Sequence, residues 1–267
     1  MSQKERLLYQ FPISHYCEKT RWNLEAKGLP YEVRNLVPGV HVLVVKRLTG
    51  THTVPVLVDQ GKAFADSNAI AAHLEQAYPD RPLLPAGEAS RARALELEAY
   101  FDKKAGRAAR QWIYGQLVQA PGSAVAVMLE SYSAPVRLLG RALGTRIEGV
   151  LRKQYRLNPE GVAAARATLI ACLERIELET QSDPKRYLVG NALSIADIAA
   201  ASLLGPLVAP PGSPWDTTEA RARETTPIRE LRAELSTRPG WAWVLARYAN
   251  DRRRGITPAS ASRRALW

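Results

Sequence analysis

Ser14 and Cys17, three residues apart in Ser14-His15-Tyr16-Cys17, are the side chains whose types and spacing point most directly to chemistry. They follow a short strand-like run and open a helix-like one. At a helix N-terminus, backbone N–H groups without intrahelical partners and the helix dipole together favour negative charge, and therefore a thiolate. Two chemistries are open. Cys17 could be the nucleophile, or Ser14 could donate to the thiolate of a bound thiol. Tyr9, five residues before Ser14, offers a second hydroxyl. Each has a plainer reading as well: Ser14 as a helix cap, Cys17 as a packed thiol, Tyr9 as one face of a strand. Other chemistries find little support. The four histidines and two cysteines lack metal-ligand spacing, so no metal is expected. There is no phosphate-cradling glycine loop and no exposed-serine elbow.

The elements that hold these residues follow from periodicity and breakers. Residues 6–11 read as a strand that Pro12 ends, and 16–27 as a helix stopped by Gly28. A second strand covers 31–36. Residues 41–48 are apolar without a clear period and read as either helix or strand. Strands at 54–58 and 63–65 flank a tight turn, and a helix over 67–78 places Ile70, Leu74 and Tyr78 on one face. The order is β-α-β-(α)-β-β-α within 1–80. Pro79, Pro82 and Pro85 mark a linker, taken as 81–87. Residues 88–254 are helix-like, with one long helix over 89–117, others over 162–180, 227–235 and 239–248, and a very apolar one over 193–207.

Composition bounds the setting. At 267 residues and 46% hydrophobic, the chain can bury a core, and it has no apolar run long enough to span a membrane. Lys4, Glu5 and Arg6 interrupt any signal-peptide core, and two cysteines make no disulfide framework, so a cytoplasmic location is expected. Net charge is +11. Residues 239–267 carry a net +5, six arginines against Asp251, and 255–267 read as a basic, disordered tail rather than a nucleic-acid site.

The β-α-β, β-β-α order resembles a thioredoxin fold. With the helical region appended, the chain resembles the cytosolic glutathione S-transferase family, an α/β plus all-α architecture. Four places carry the resemblance. Ser14-His15-Tyr16-Cys17 is similar to the serine-type site of theta- and zeta-like members, in which the serine hydroxyl donates to the sulfur of bound glutathione; Tyr9 lies where tyrosine-type members carry theirs. Thr53-Val54-Pro55 resembles the family's cis-proline segment, which implies that the Val54 backbone pairs with the cysteinyl backbone of glutathione. Thr53 departs from the basic residue many members carry there, leaving His41, Lys46 and His52 as candidates for the glycyl carboxylate. Asp66-Ser67 before a helix resembles the γ-glutamyl site, with Ser67 as the expected cap and Asp66 as partner of the ammonium group. Ser194 and Asp197, flanked by Leu193 and Ile198, match the capping box of the second domain, and Arg238-Pro239 its closing helix. Residues 209–224 read as an insertion.

The resemblance implies a glutathione transferase in which Ser14 stabilises the thiolate of the cosubstrate glutathione for attack on a hydrophobic electrophile, in detoxification and as a homodimer. Two alternatives stay open: a glutathione-dependent peroxidase or ether-cleaving enzyme, and a non-catalytic binding module in a protein complex.

Overall fold

The sheet forms where the alternating segments predict it. In a computed structural model describing residues 6–252, strands β1 (Leu7–Gln10), β2 (Glu32–Asn35), β3 (Val56–Asp59) and β4 (Lys62–Ala65) lie in the order β2-β1-β3-β4. The β1–β2 pair is parallel, and the β1–β3 and β3–β4 pairs are antiparallel. The expected basic tail falls outside the described residues.

The period-2 pattern of β1 sorts its side chains between two small cores. Leu8 packs with Leu57, Leu24, Ile70 and Leu74, under helices α1 (His15–Ala26) and α3 (Ser67–Ala77). Tyr9 points the other way and joins Leu36, Val45 and Val56 beneath α2 (His41–Thr49). The ambiguous segment is thus a helix. It ends at Gly50, whose φ of 74° lets its N–H bond Lys46 O.

The second region is helical throughout. The stretch expected as one helix over 89–117 is two, α4 (Glu88–Lys103) and α5 (Ala105–Leu117), broken at Lys104 with φ −97° and ψ −67°. There follow α6 (Ser123–Leu129), α7 (Ala134–Gln154), α8 (Pro159–Thr180), α9 (Ile195–Val208), α10 (Thr218–Ala222), α11 (Thr226–Leu235) and α12 (Pro239–Asn250). Every residue of α9 is buried, and α4, α5, α12 and α1 pack around it. The expected capping box starts it: Asp197 bonds the Ser194 N–H and hydroxyl.

The two regions share a core. Trp22 of α1 is buried in the helical cluster. Arg252, just after α12, pairs with Glu18 and Glu25 of α1, and Glu18 also binds Arg21. With two arginines beside it, the Glu18 carboxyl is held down at about 2 despite burial, so this charged seam is fully ionised at neutral pH.

Candidate active site

Ser14 is the N-cap of α1, and its backbone N–H donates to Phe11 O at 3.1 Å. Its Oγ accepts the Cys17 N–H at 3.4 Å, a long bond that leaves the hydroxyl proton available for donation. Ser14 is half-buried and lines a cavity of about 780 Å³. Cys17 is fully buried, does not line that cavity, and burial pushes its thiol up. Tyr9 is absent from the cavity wall and packs in the small core beneath α2. Of the three candidate nucleophile or donor groups, the geometry brings only Ser14 to the cavity.

The Val54–Pro55 peptide is cis, and His41, His52, Thr53 and Val54 line the same cavity. His41 does not offer a charge to a carboxylate. Its Nδ1 accepts the Gly39 N–H at 3.0 Å, so Nε2 carries the proton and donates to His52 O at 3.0 Å. Burial lowers its pKa further. His41 therefore ties the segments that flank α2 together as a neutral ring, and His52 is the exposed one of the pair.

Asp66, not Ser67, is the cap of α3. Its φ is 75°, and its Oδ1 accepts the Asn68 and Ala69 N–H groups at 2.8 and 3.4 Å. Ser67 is the first helical residue, buried, with an Oγ that has no partner among the described residues. Both lie outside the cavity wall. Beside them is a cluster that sequence reasoning missed. Lys19, with no exposed surface, bonds Asn68 Oδ1 and reaches Glu98 Oε1 at 2.9 Å and Asp102 Oδ1 at 3.5 Å. Burial above all, with the Asp66 charge adding, raises both Glu98 and Asp102. Beyond the single lysine the cluster is acidic, which suits an ammonium group beside it.

The helix break at Lys104 supports the Ser14 segment from below. Tyr16 Oη donates to Asp102 O at 3.1 Å, and His15 Nε2–H donates to Gly106 O at 2.8 Å. Gly106 has no room for a Cβ, since one would run into Tyr16 Oη. His15 is held neutral, its pKa lowered to about 3 by burial first and Arg110 second. Its folded pKa lies below the unfolded value, so unfolded chains take up the proton first. Its contribution is present above pH ~6.5 and is lost as pH falls toward 3, at up to ~1.4 kcal/mol per pH unit. Urea midpoints measured across that window should decline with falling pH, and His15→Gln should flatten the decline.

The segment read as an insertion reaches the same place. Trp215 Nε1 donates to Ile13 O at 3.0 Å, one residue from Ser14, while its ring lies against Gly205 where no Cβ would fit. Thr217 Oγ1 and Glu219 N bond the Glu130 carboxylate at 2.5 and 3.3 Å. Residues 209–224 thus strap α9, the turn after α6 and the Ser14 segment together. The only sequence signal was a tryptophan inside a proline-rich loop.

Residues 8–82 match the family described as glutathione S-transferase, N-terminal domain. The chain resembles the cytosolic glutathione S-transferases. Glutathione S-transferase Z1 of Arabidopsis thaliana is 39% identical over 88 residues, 32% of this chain and 40% of that protein. The chain spans about two fifths of the length of the curated relatives it matches, so that similarity belongs to the transferase N-terminal domain. The fold likeness extends further. A glutathione S-transferase from Rhodospirillum rubrum F11 superposes with TM-score 0.56 at 25% identity, covering 93% of this chain and 100% of that one. A transferase from Methylobacterium radiotolerans, solved with glutathione sulfonate, gives TM-score 0.50 at 23% identity, covering 91% and 95%.

Proposed function

We propose that this chain is a glutathione transferase in which the Ser14 hydroxyl donates to the thiolate of bound glutathione. The observation that carries the reading is the Ser14 hydroxyl on the wall of a large apolar-sided cavity, beside the cis Val54–Pro55 peptide, with Cys17 buried behind it. Glutathione would run from that peptide, where the Val54 backbone pairs with the cysteinyl unit, to Asp66 and Ser67. The unpartnered Ser67 Oγ and the N-terminus of α3 suit the γ-glutamyl carboxylate, and Asp66 its ammonium group.

The energetics are sufficient. A free thiol of pKa about 8.5 is a few per cent thiolate at pH 7, and two units of depression, ~2.7 kcal/mol, make it mostly thiolate. A hydrogen bond to a charged sulfur supplies ~1.5–3 kcal/mol and the α1 N-terminus ~0.3–1. The thiolate lone pair then attacks an electrophilic carbon in the cavity, forming a thioether by addition or by displacing a leaving group. This reading carries with it a homodimer, a cytoplasmic location, a role in detoxification, and a division of the chain at residues 81–87.

Retention on immobilised glutathione tests the binding half. The native chain should be retained and eluted by free glutathione, and Ser67→Ala should weaken retention at least ~10-fold for a lost hydrogen bond to a charged group. Failure of the native chain to bind would turn the assignment toward a non-catalytic module.

A further inference from the structure

Arg110 of α5 lines the cavity in an unusual state. Of the other charge-bearing groups on that wall, His52 is exposed and the rest are already satisfied. Arg232 donates to Glu224 Oε1 at 2.7 Å, Leu207 O at 2.8 Å and Pro206 O at 3.1 Å, and so neutralises Glu224 as well. His15 is neutral, and His41 has both nitrogens engaged. Arg110, half-buried, makes no hydrogen bond or ion pair among the described residues. It is held by ring faces alone: its guanidinium carbon lies 4.4 Å from the Tyr155 ring centre and 6.0 Å from that of Tyr16. Tyr155 in turn stacks on Tyr114.

A cation held over rings presents its face to them and leaves its N–H edge free. Five donors in a fixed fork, partly withdrawn from water, cost free energy until an anion meets them. Tyr16 follows Ser14 by two residues, and Ser14, Tyr16 and Arg110 line the same cavity. Beyond it the wall is aliphatic, from Ile113, Leu117, Val125, Leu129, Leu143 and Ile147.

We propose that Arg110 is the specificity-determining residue of this cavity, holding the carboxylate or sulfonate of an otherwise apolar substrate by a bidentate pair. The enzyme's electrophiles are then amphiphilic organic anions rather than neutral apolar molecules. Calling them electrophiles rests on the transferase reading above; the anion site itself does not.

The test is a pair of fluorescence titrations on the full chain without glutathione. One probe is anilinonaphthalene sulfonate, and the other is the neutral N-phenylnaphthylamine. Arg110→Gln should weaken the sulfonate probe about tenfold or more, one charge-assisted bond's worth, and leave the neutral probe unchanged. Arg110→Lys, which keeps the charge but loses the fork, should fall between. Equal affinity of the sulfonate for native and Gln forms would overturn the proposal, and so would an equal loss for both probes. Because glutathione is absent, failure of the chain to bind glutathione would leave this outcome readable.

Discussion

Replacing Ser14 by alanine should lower glutathione-dependent turnover at least ~10-fold, about 1.4 kcal/mol of transition-state stabilisation. Cys17→Ala should be mild. The contrast follows from where the two side chains sit. Ser14 Oγ faces the cavity and accepts the Cys17 N–H, so its own proton can go to a bound sulfur. Capping uses a lone pair of the oxygen and the proposed donation uses the proton, so the two do not compete. Cys17 has no exposed surface, and burial holds it in the thiol form, unfit as a nucleophile. Steady-state kinetics with an aryl halide that carries a carboxylate decide the ranking, with Ser14→Thr as the control that keeps a hydroxyl. Because the cap bond is long, the alanine variant should lose no more than ~1 kcal/mol of stability. The drop in turnover should therefore appear at temperatures where the variant is fully folded. If Cys17→Ala were the damaging change and Ser14→Ala the silent one, the serine assignment would fail.

The largest effect on stability is expected at Asp197. A helix-cap residue ordinarily contributes ~0.5–2 kcal/mol. Asp197 does more than cap. It is fully buried, its Oδ1 accepts the Leu188 N–H at 2.8 Å, and its Oδ2 accepts both the Ser194 N–H at 2.9 Å and the Ser194 hydroxyl at 2.6 Å. Alanine would strand these donors in the core, each at ~1–3 kcal/mol, with only the Ser194 hydroxyl free to turn elsewhere. Asp197→Ala should thus lose ~3–5 kcal/mol in a urea titration of the full chain. Asp197→Asn, keeping the volume and one acceptor oxygen, should fall between. A loss below ~1 kcal/mol would mean that the α9 start tolerates unpaired donors.

What the sequence made legible was local. Alternation gave the strands, Gly28 stopped α1, and Ser194 with Asp197 announced α9 because a capping box lies within four residues. The cap of α3 fell one residue earlier than expected because Asp66 and Ser67 are both good caps. Only the positive φ at Asp66, invisible in composition, decides between them. The segment over 41–48 lacked a period because Leu43 lies on the exposed side of α2 while Val45 is fully buried. The features that shape the site are long-range. The break at Lys104, the bond from Trp215 to Ile13, the Lys19 cluster and the isolated Arg110 each depend on partners far along the chain, and such pairings leave no periodicity.

The central claim concerns one proton. Glutathione bound to the native chain should show thiolate ultraviolet absorbance that titrates about two pH units below the free thiol's ~8.5. In Ser14→Ala, still able to bind glutathione, the titration should move back toward the free value. A depressed pKa that is identical in both proteins would contradict the account, because the thiolate would then owe its stability to something other than Ser14.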